Sequence, residues 1–139
     1  VLIVGLGGVG GSAAEFITRA GIGNLTIVDG DVVSITNINR QLPALHSTIG
    51  KPKTEVVAER LLDINPALNL TVINEFLSPE RAWDIVTPDY DYVIDCIDSI
   101  TPKLNLILSS KRKRVKIVSC MGAGNRCFAN KGRRFDEDL

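Results

Sequence analysis

The sequence predicts an α/β fold, a doubly wound, mostly parallel sheet with helices on both faces. Three observations point to it. Short apolar runs alternate with stretches of helical period. The runs are apolar throughout rather than alternating, as strands buried on both faces must be. A glycine-rich turn joins the first run to the first helix.

Residues 1–4 read as the first strand and lead into that turn. Residues 12–20 read as a helix with Ala13, Ala14, Phe16, Ile17 and Ala20 on its apolar side, stopped by Gly21. Residues 25–28 form a second strand ending at Asp29. From Gly30 to Gly50 the chain is polar and aperiodic, and a loop that long in a compact domain usually has a function. Residues 53–64 are amphipathic, with Val56, Val57, Leu61 and Ile64 at helical spacing, and Asn65-Pro66 ends them. A third strand at 70–73, a short helix at 79–86, a fourth strand at 92–95, a helix at 102–110 and a fifth strand at 116–119 follow.

With 139 residues, 45% hydrophobic and 23% charged, the chain is long enough for one core of ordinary soluble composition. Sixteen basic residues balance sixteen acidic ones, so no global positive field announces a nucleic-acid binder. No apolar stretch reaches the roughly 20 residues that span a bilayer. Three unevenly spaced cysteines, Cys96, Cys120 and Cys127, suit the reducing cytoplasm better than a disulfide framework. A start inside a strand, without Met, predicts that N-terminal sequence is missing. The expected organisation is a folded domain over 1–124 and an irregular or disordered tail over 125–139, where apolar patterning fails.

Gly5-Leu6-Gly7-Gly8-Val9-Gly10 lies between strand and helix, the context in which a G-x-G-x-x-G match is meaningful. Glycines there let the backbone turn sharply, bring its N–H groups near phosphate and let the helix approach the sheet. The helix N-terminus adds partial positive charge. Asp29 stands about 20 residues on, where a carboxylate accepts from ribose hydroxyls. NAD and ATP both satisfy this turn.

The segment after Asp29 favours ATP. It reads Asp29-Gly30-Asp31, then Asn37-Ile38-Asn39-Arg40-Gln41, then Gly50-Lys51-Pro52-Lys53, and delivers cations and amides beyond the strand end. A triphosphate carries more charge than a dinucleotide's pyrophosphate, and attack on its α-phosphorus requires that charge neutralised. Arg40 offers a planar fork for phosphate oxygens and Lys53 a movable point charge. Asp98, past the end of the fourth strand, is placed to hold Mg²⁺, which prefers a few carboxylates plus phosphate oxygens. Asp95, inside the strand, is expected to orient loop backbone. A solvated loop charge is the alternative for Arg40 and Lys53, and a helix N-cap for Asp98.

These four motifs and a fifth, Asp95-Cys96-Ile97-Asp98-Ser99, in this order and spacing, resemble the superfamily of ubiquitin-activating enzymes and the bacterial enzymes that adenylate sulfur-carrier proteins. The resemblance covers residues 1 to about 124. Within it the chain looks most like the tRNA threonylcarbamoyladenosine dehydratase branch, on Arg19-Ala20-Gly21-Ile22-Gly23, Leu42-Pro43-Ala44-Leu45, Asp98-Ser99-Ile100-Thr101-Pro102-Lys103 and Met121-Gly122-Ala123-Gly124. It implies a Rossmann-like fold, ATP and Mg²⁺ as cofactors, and Gly5, Gly7, Gly8, Gly10, Asp29, Asp31, Asn37, Arg40, Gln41 and Lys53 around the nucleotide. It also implies tRNA as substrate, adenylation of the threonylcarbamoyl carboxylate, cyclising loss of water, and a homodimer in the full-length protein.

Adenylation of a ubiquitin-like or sulfur-carrier protein is the alternative activity. A non-catalytic nucleotide-binding module is a third reading, and an NAD-dependent oxidoreductase is disfavoured by the 30–50 loop. Lys111-Arg112-Lys113-Arg114 is more often a solvated helix end than a tRNA contact. Cys96 is expected to pack, Trp83 to cover core, and His46 has no evident partner.

Overall fold

The first strand, β1 (Leu2–Val4), is buried on both faces and forms the centre of the sheet. In this computed structural model, which describes residues 1–121, β2 (Asn24–Val28) pairs along one edge of β1 and β4 (Val93–Asp95) along the other. β3 (Asn69–Ile73) adds outside β2, and β5 (Ile117–Ser119) outside β4. All pairings are parallel, in the order β3-β2-β1-β4-β5.

Alternation along the strands splits the core between two faces. Ile3, Leu25 and Ile27 point to one face and pack with Ala14 of α1 (Gly8–Arg19) and Val57 and Leu61 of α2 (Lys53–Ile64). Leu2, Val4, Val28 and Val93 point to the other and pack with Ile85 of α3 (Pro79–Ile85) and Leu106 of α4 (Ile100–Arg112). Each fully buried Leu, Ile or Val contributes roughly 1.5–3 kcal/mol of transfer free energy. No helix among the described residues is long and apolar enough to cross a membrane.

Two helices start earlier than their apolar patterns predict. α1 begins at Gly8 rather than at 12, because its glycines pack against the strand turn instead of breaking the helix. A Cβ on Gly10 would lie 1.6 Å from the Gly5 carbonyl oxygen, so only glycine lets helix and turn meet. α4 begins at Ile100 rather than at 102. Pro102 sits in its first turn, where a missing N–H costs no intrahelical bond.

Trp83 departs from expectation. It is half-exposed, and the Lys113 ammonium stands 4.2 Å above its ring. That ammonium also donates to the carbonyls of Trp83 and Val86, so one cation of the 111–114 run ties α4 to the end of α3. Residues 122–124, Cys127 and the expected 125–139 tail lie outside the described residues.

Candidate functional site

Strand order reverses at β1, because β2 and β4 leave it in opposite directions. A cleft opens beyond the carboxyl ends of these strands, as parallel sheets provide at such a reversal. It has a volume of about 210 Å³. Gly5, Gly7, Asp29, Asp31, Gln41, Lys53 and Asp98 line it, with Phe76, Leu77 and Ile97 forming an apolar wall.

The glycine turn makes the floor. Gly5 has φ of 94°, in the left-handed region, and a Cβ there would come within 2.6 Å of the Cys96 carbonyl oxygen. Gly7 is the N-cap of α1 with no side-chain capping bond, and no acidic residue sits in the helix's first turn. The first amides of α1 therefore keep their donor capacity. Gly8 faces the Arg40 backbone, whose carbonyl oxygen would lie 3.6 Å from an added Cβ.

Asp29 organises the turn. Its Oδ2 accepts from the Leu6 amide at 2.7 Å, and its Oδ1 from the Asp31 amide, also at 2.7 Å. Each oxygen retains acceptor capacity, and Asp29 lines the cleft. Gly30 has no room for a side chain either, since its Cβ would lie 2.4 Å from the Phe76 amide nitrogen. The corner after β2 is thus pressed against the segment after β3.

The 30–52 loop folds back through two short 3-10 turns, Ile35–Asn37 and His46–Thr48, and a bridge between Val32 and Pro52. This return places the start of α2 beside the cleft. Lys53 is 5% exposed, and its ammonium lies 3.5 Å from Asp31 Oδ2. Gln41 is 7% exposed, and its buried Oε1 has no hydrogen-bond partner among the described residues.

Two residues of the expected constellation point elsewhere. The Arg40 guanidinium donates to the Thr36 carbonyl and to Asn39 Oδ1, both at 3.0 Å, and does not line the cleft. Asn37 accepts from the Ser34 amide at 2.9 Å and closes a capping box on the first 3-10 turn, so its side chain shapes the loop. Asp98 lines the cleft, while Ser99 occupies the N-cap of α4 without a side-chain bond.

Asp95 is fully buried. It accepts from the Ile97 amide at 3.0 Å, from Ser119 Oγ at 2.5 Å and from the Lys103 ammonium at 2.6 Å. Lys103 continues to the Cys120 carbonyl at 2.8 Å, tying the ends of β4 and β5 to α4. Burial, followed by the neighbouring Cys120 thiol, pushes the Cys96 thiol up to about 12, so it stays protonated at neutral pH. Sequence reasoning missed two participants, Lys103 and Phe76. Lys103 lies eight residues past the strand-end acid and Phe76 three past the end of β3, and neither spacing by itself marks a partner.

The reversal at β1, with its cleft, defines a Rossmann-like α/β domain. The chain belongs to the ThiF family, with a match over residues 1–131. It is 47% identical over 124 residues to the tRNA threonylcarbamoyladenosine dehydratase of Haemophilus influenzae, covering 89% of this chain and 48% of that protein. It is 37% identical over 119 residues to the molybdopterin-synthase adenylyltransferase of the same organism, covering 86% and 49%. The crystal structure of Escherichia coli tRNA N6-threonylcarbamoyladenosine dehydratase in complex with ATP superposes with a TM-score of 0.85 at 45% identity, covering 88% of this chain and 51% of that one. The chain spans about half the length of the curated relatives it matches.

Proposed function

We propose that this chain forms the ATP site of an enzyme that adenylates a carboxylate, the threonylcarbamoyl group on a tRNA adenosine, and then closes the ring with loss of water. The observation that carries this reading is the return of the 30–52 loop, which brings the buried Lys53 and the Gln41 side chain to the cleft beside the glycine turn. A dinucleotide site has no need of that cation.

The residues present suit ATP. The turn and the amides of α1 receive phosphate oxygens, Asp29 and Gln41 accept from ribose hydroxyls, and the Phe76 wall takes the purine. Lys53 stabilises charge developing on the phosphates. Arg40 joins it when its guanidinium leaves Thr36 and Asn39, since its backbone already borders Gly8. Asp98 would hold Mg²⁺, which supplies charge neutralisation on the phosphates. The attacking carboxylate is ionised at neutral pH, so the site needs positioning and charge rather than a general base. Cytoplasmic tRNA is the proposed partner, and the full-length protein is proposed to be a homodimer.

Pyrophosphate exchange into ATP tests this, run with threonylcarbamoyl-modified tRNA and separately with a sulfur-carrier protein. Exchange with tRNA supports the reading. Exchange driven only by the carrier favours the second reading, for which the likeness to molybdopterin-synthase adenylyltransferase speaks. ATP binding without exchange from either substrate indicates a non-catalytic module. Asp98→Ala is expected to lower Mg²⁺-dependent exchange by at least about 100-fold without changing the fold, and unchanged exchange removes Asp98 from the site.

A further inference from the structure

β4 and β5 run in parallel, with Asp95 opposite Ser119 and the Cys120 amide bonded to the Asp95 carbonyl at 2.8 Å. That bond closes the Asp95–Ser119 bridge, the last of the ladder, and Cys96 and Cys120 are the residues that follow it directly on the two strands. Side chains alternate along both strands. Because Ser119 Oγ meets the Asp95 carboxylate on one face, the two cysteines share the opposite face. Neighbouring strands stand about 4.8 Å apart, inside the range of about 4.4–6.8 Å between Cα atoms that a disulfide spans. Both thiols are free, Cys96 buried and Cys120 half-buried. Cys120 is thus the sulfur a small solute reaches first.

We infer that Cys96 and Cys120 form a cross-strand dithiol which a peroxide closes into an intramolecular disulfide at the rim of the cleft. The chemistry takes two steps. Cys120 Sγ attacks a peroxide oxygen, the O–O bond breaks, and the thiol proton leaves with the departing oxygen as water, giving a sulfenic acid. Cys96 Sγ then attacks the Cys120 sulfur, the S–O bond breaks, and the Cys96 proton leaves with hydroxide as a second water. Two thiols are oxidised by two electrons and one hydrogen peroxide is reduced to two waters.

The site is a reversible one, since among the described residues β5 is the outer strand and a link beside it is open to thiol reductants. It needs nothing from the proposed ATP chemistry. Cys96 lines the cleft, and its carbonyl presses on Gly5, so the bond forms within one residue of the turn's own contact.

The test is oxidation of the whole chain with stoichiometric hydrogen peroxide, followed by tryptic mapping without reductant. Cleavage separates the three cysteines, placing Cys96 in residues 82–103, Cys120 in 117–126 and Cys127 in 127–131. The expected product joins 82–103 to 117–126, lacks the mass of two hydrogens and reverts with dithiothreitol. The same link is expected in Cys127→Ser. In Cys96→Ser the oxidised Cys120 is expected to stop at sulfenic or sulfinic acid. Joining of Cys120 to Cys127, a disulfide between two chains, or over-oxidation of Cys120 with Cys96 intact would each overturn the inference.

Discussion

A methyl group at position 10 would sit 1.6 Å from the Gly5 carbonyl oxygen and 3.2 Å from Cys96 Cβ. Neither neighbour is a flexible side-chain end, so the helix must move. Gly10→Ala is expected to destabilise the chain by about 1–3 kcal/mol or more, as overpacking does, measured as a lowered urea midpoint at unchanged m-value. An unshifted midpoint would mean that α1 slides freely along the sheet.

Lys103 ties the carboxyl ends of β4 and β5 to α4. Lys103→Met strands the fully buried Asp95 carboxylate, which is expected to cost about 3–5 kcal/mol. Adding Asp95→Asn keeps an acceptor for the Ile97 amide and removes the stranded charge. Most of the stability is then expected to return in the double variant. A double variant as unstable as the single one would show that packing, not charge, set the loss. Asp95 was legible in the sequence as an organiser of loop backbone. Its partner was not, because an ion pair between a strand and a later helix depends on how α4 crosses the sheet, which no local spacing encodes. Arg40 illustrates the converse. Residue type and position pointed to phosphate, but the carbonyls of its own loop offer a nearer acceptor.

α1 and α2 are joined across their outer surface by Glu15, which accepts from Arg60 at 2.8 Å and from Arg19 at 3.1 Å. The Arg60 guanidinium holds the Glu15 carboxyl below the usual glutamate range, burial opposing it and Arg19 adding to it. A carboxyl depressed on folding stabilises fully above its unfolded value, about 4.3, and the gain is lost as pH falls through the folded value. Glu15→Gln is therefore expected to cost about 1 kcal/mol at pH 7. The gap should narrow as pH falls below the unfolded value and close beneath the folded one. Denaturation at several pH values checks this, and a gap independent of pH would assign the effect to packing. Helix existence was readable from period alone, while helix starts were not. Glycines at 8, 10 and 11 look like breakers until the strand they pack against is known, and Pro102 looks like a start although it lies inside the first turn.

Both faces of the sheet, the glycine turn and the returning loop meet at one cleft, so a ligand there stabilises the entire domain. Binding to the folded state alone adds RT ln(1 + [L]/Kd), about 2.7 kcal/mol at a hundredfold excess over Kd. For a domain of this size Mg²⁺-ATP is expected to raise Tm by roughly 10 °C. NAD at equal concentration should not. Lys53→Met is expected to remove most of the ATP shift, and an equal shift with NAD would overturn the assignment to a triphosphate. The layered α/β architecture was legible in the sequence because βα alternation and buried parallel strands each leave a pattern in the chain. The apolar wall was not, since Phe76 reaches the cleft only through the pressing of Gly30 against its backbone.

That pressing has a consequence for how the chain can diversify. Positions 5, 10 and 30 each admit a single letter of the amino-acid alphabet, because the first atom that every alternative meets is main chain. Mutational libraries should therefore read as three invariant columns amid freely drifting neighbours, and ancestry can rewrite the outer surface while the floor under the ligand stays spelled the same way.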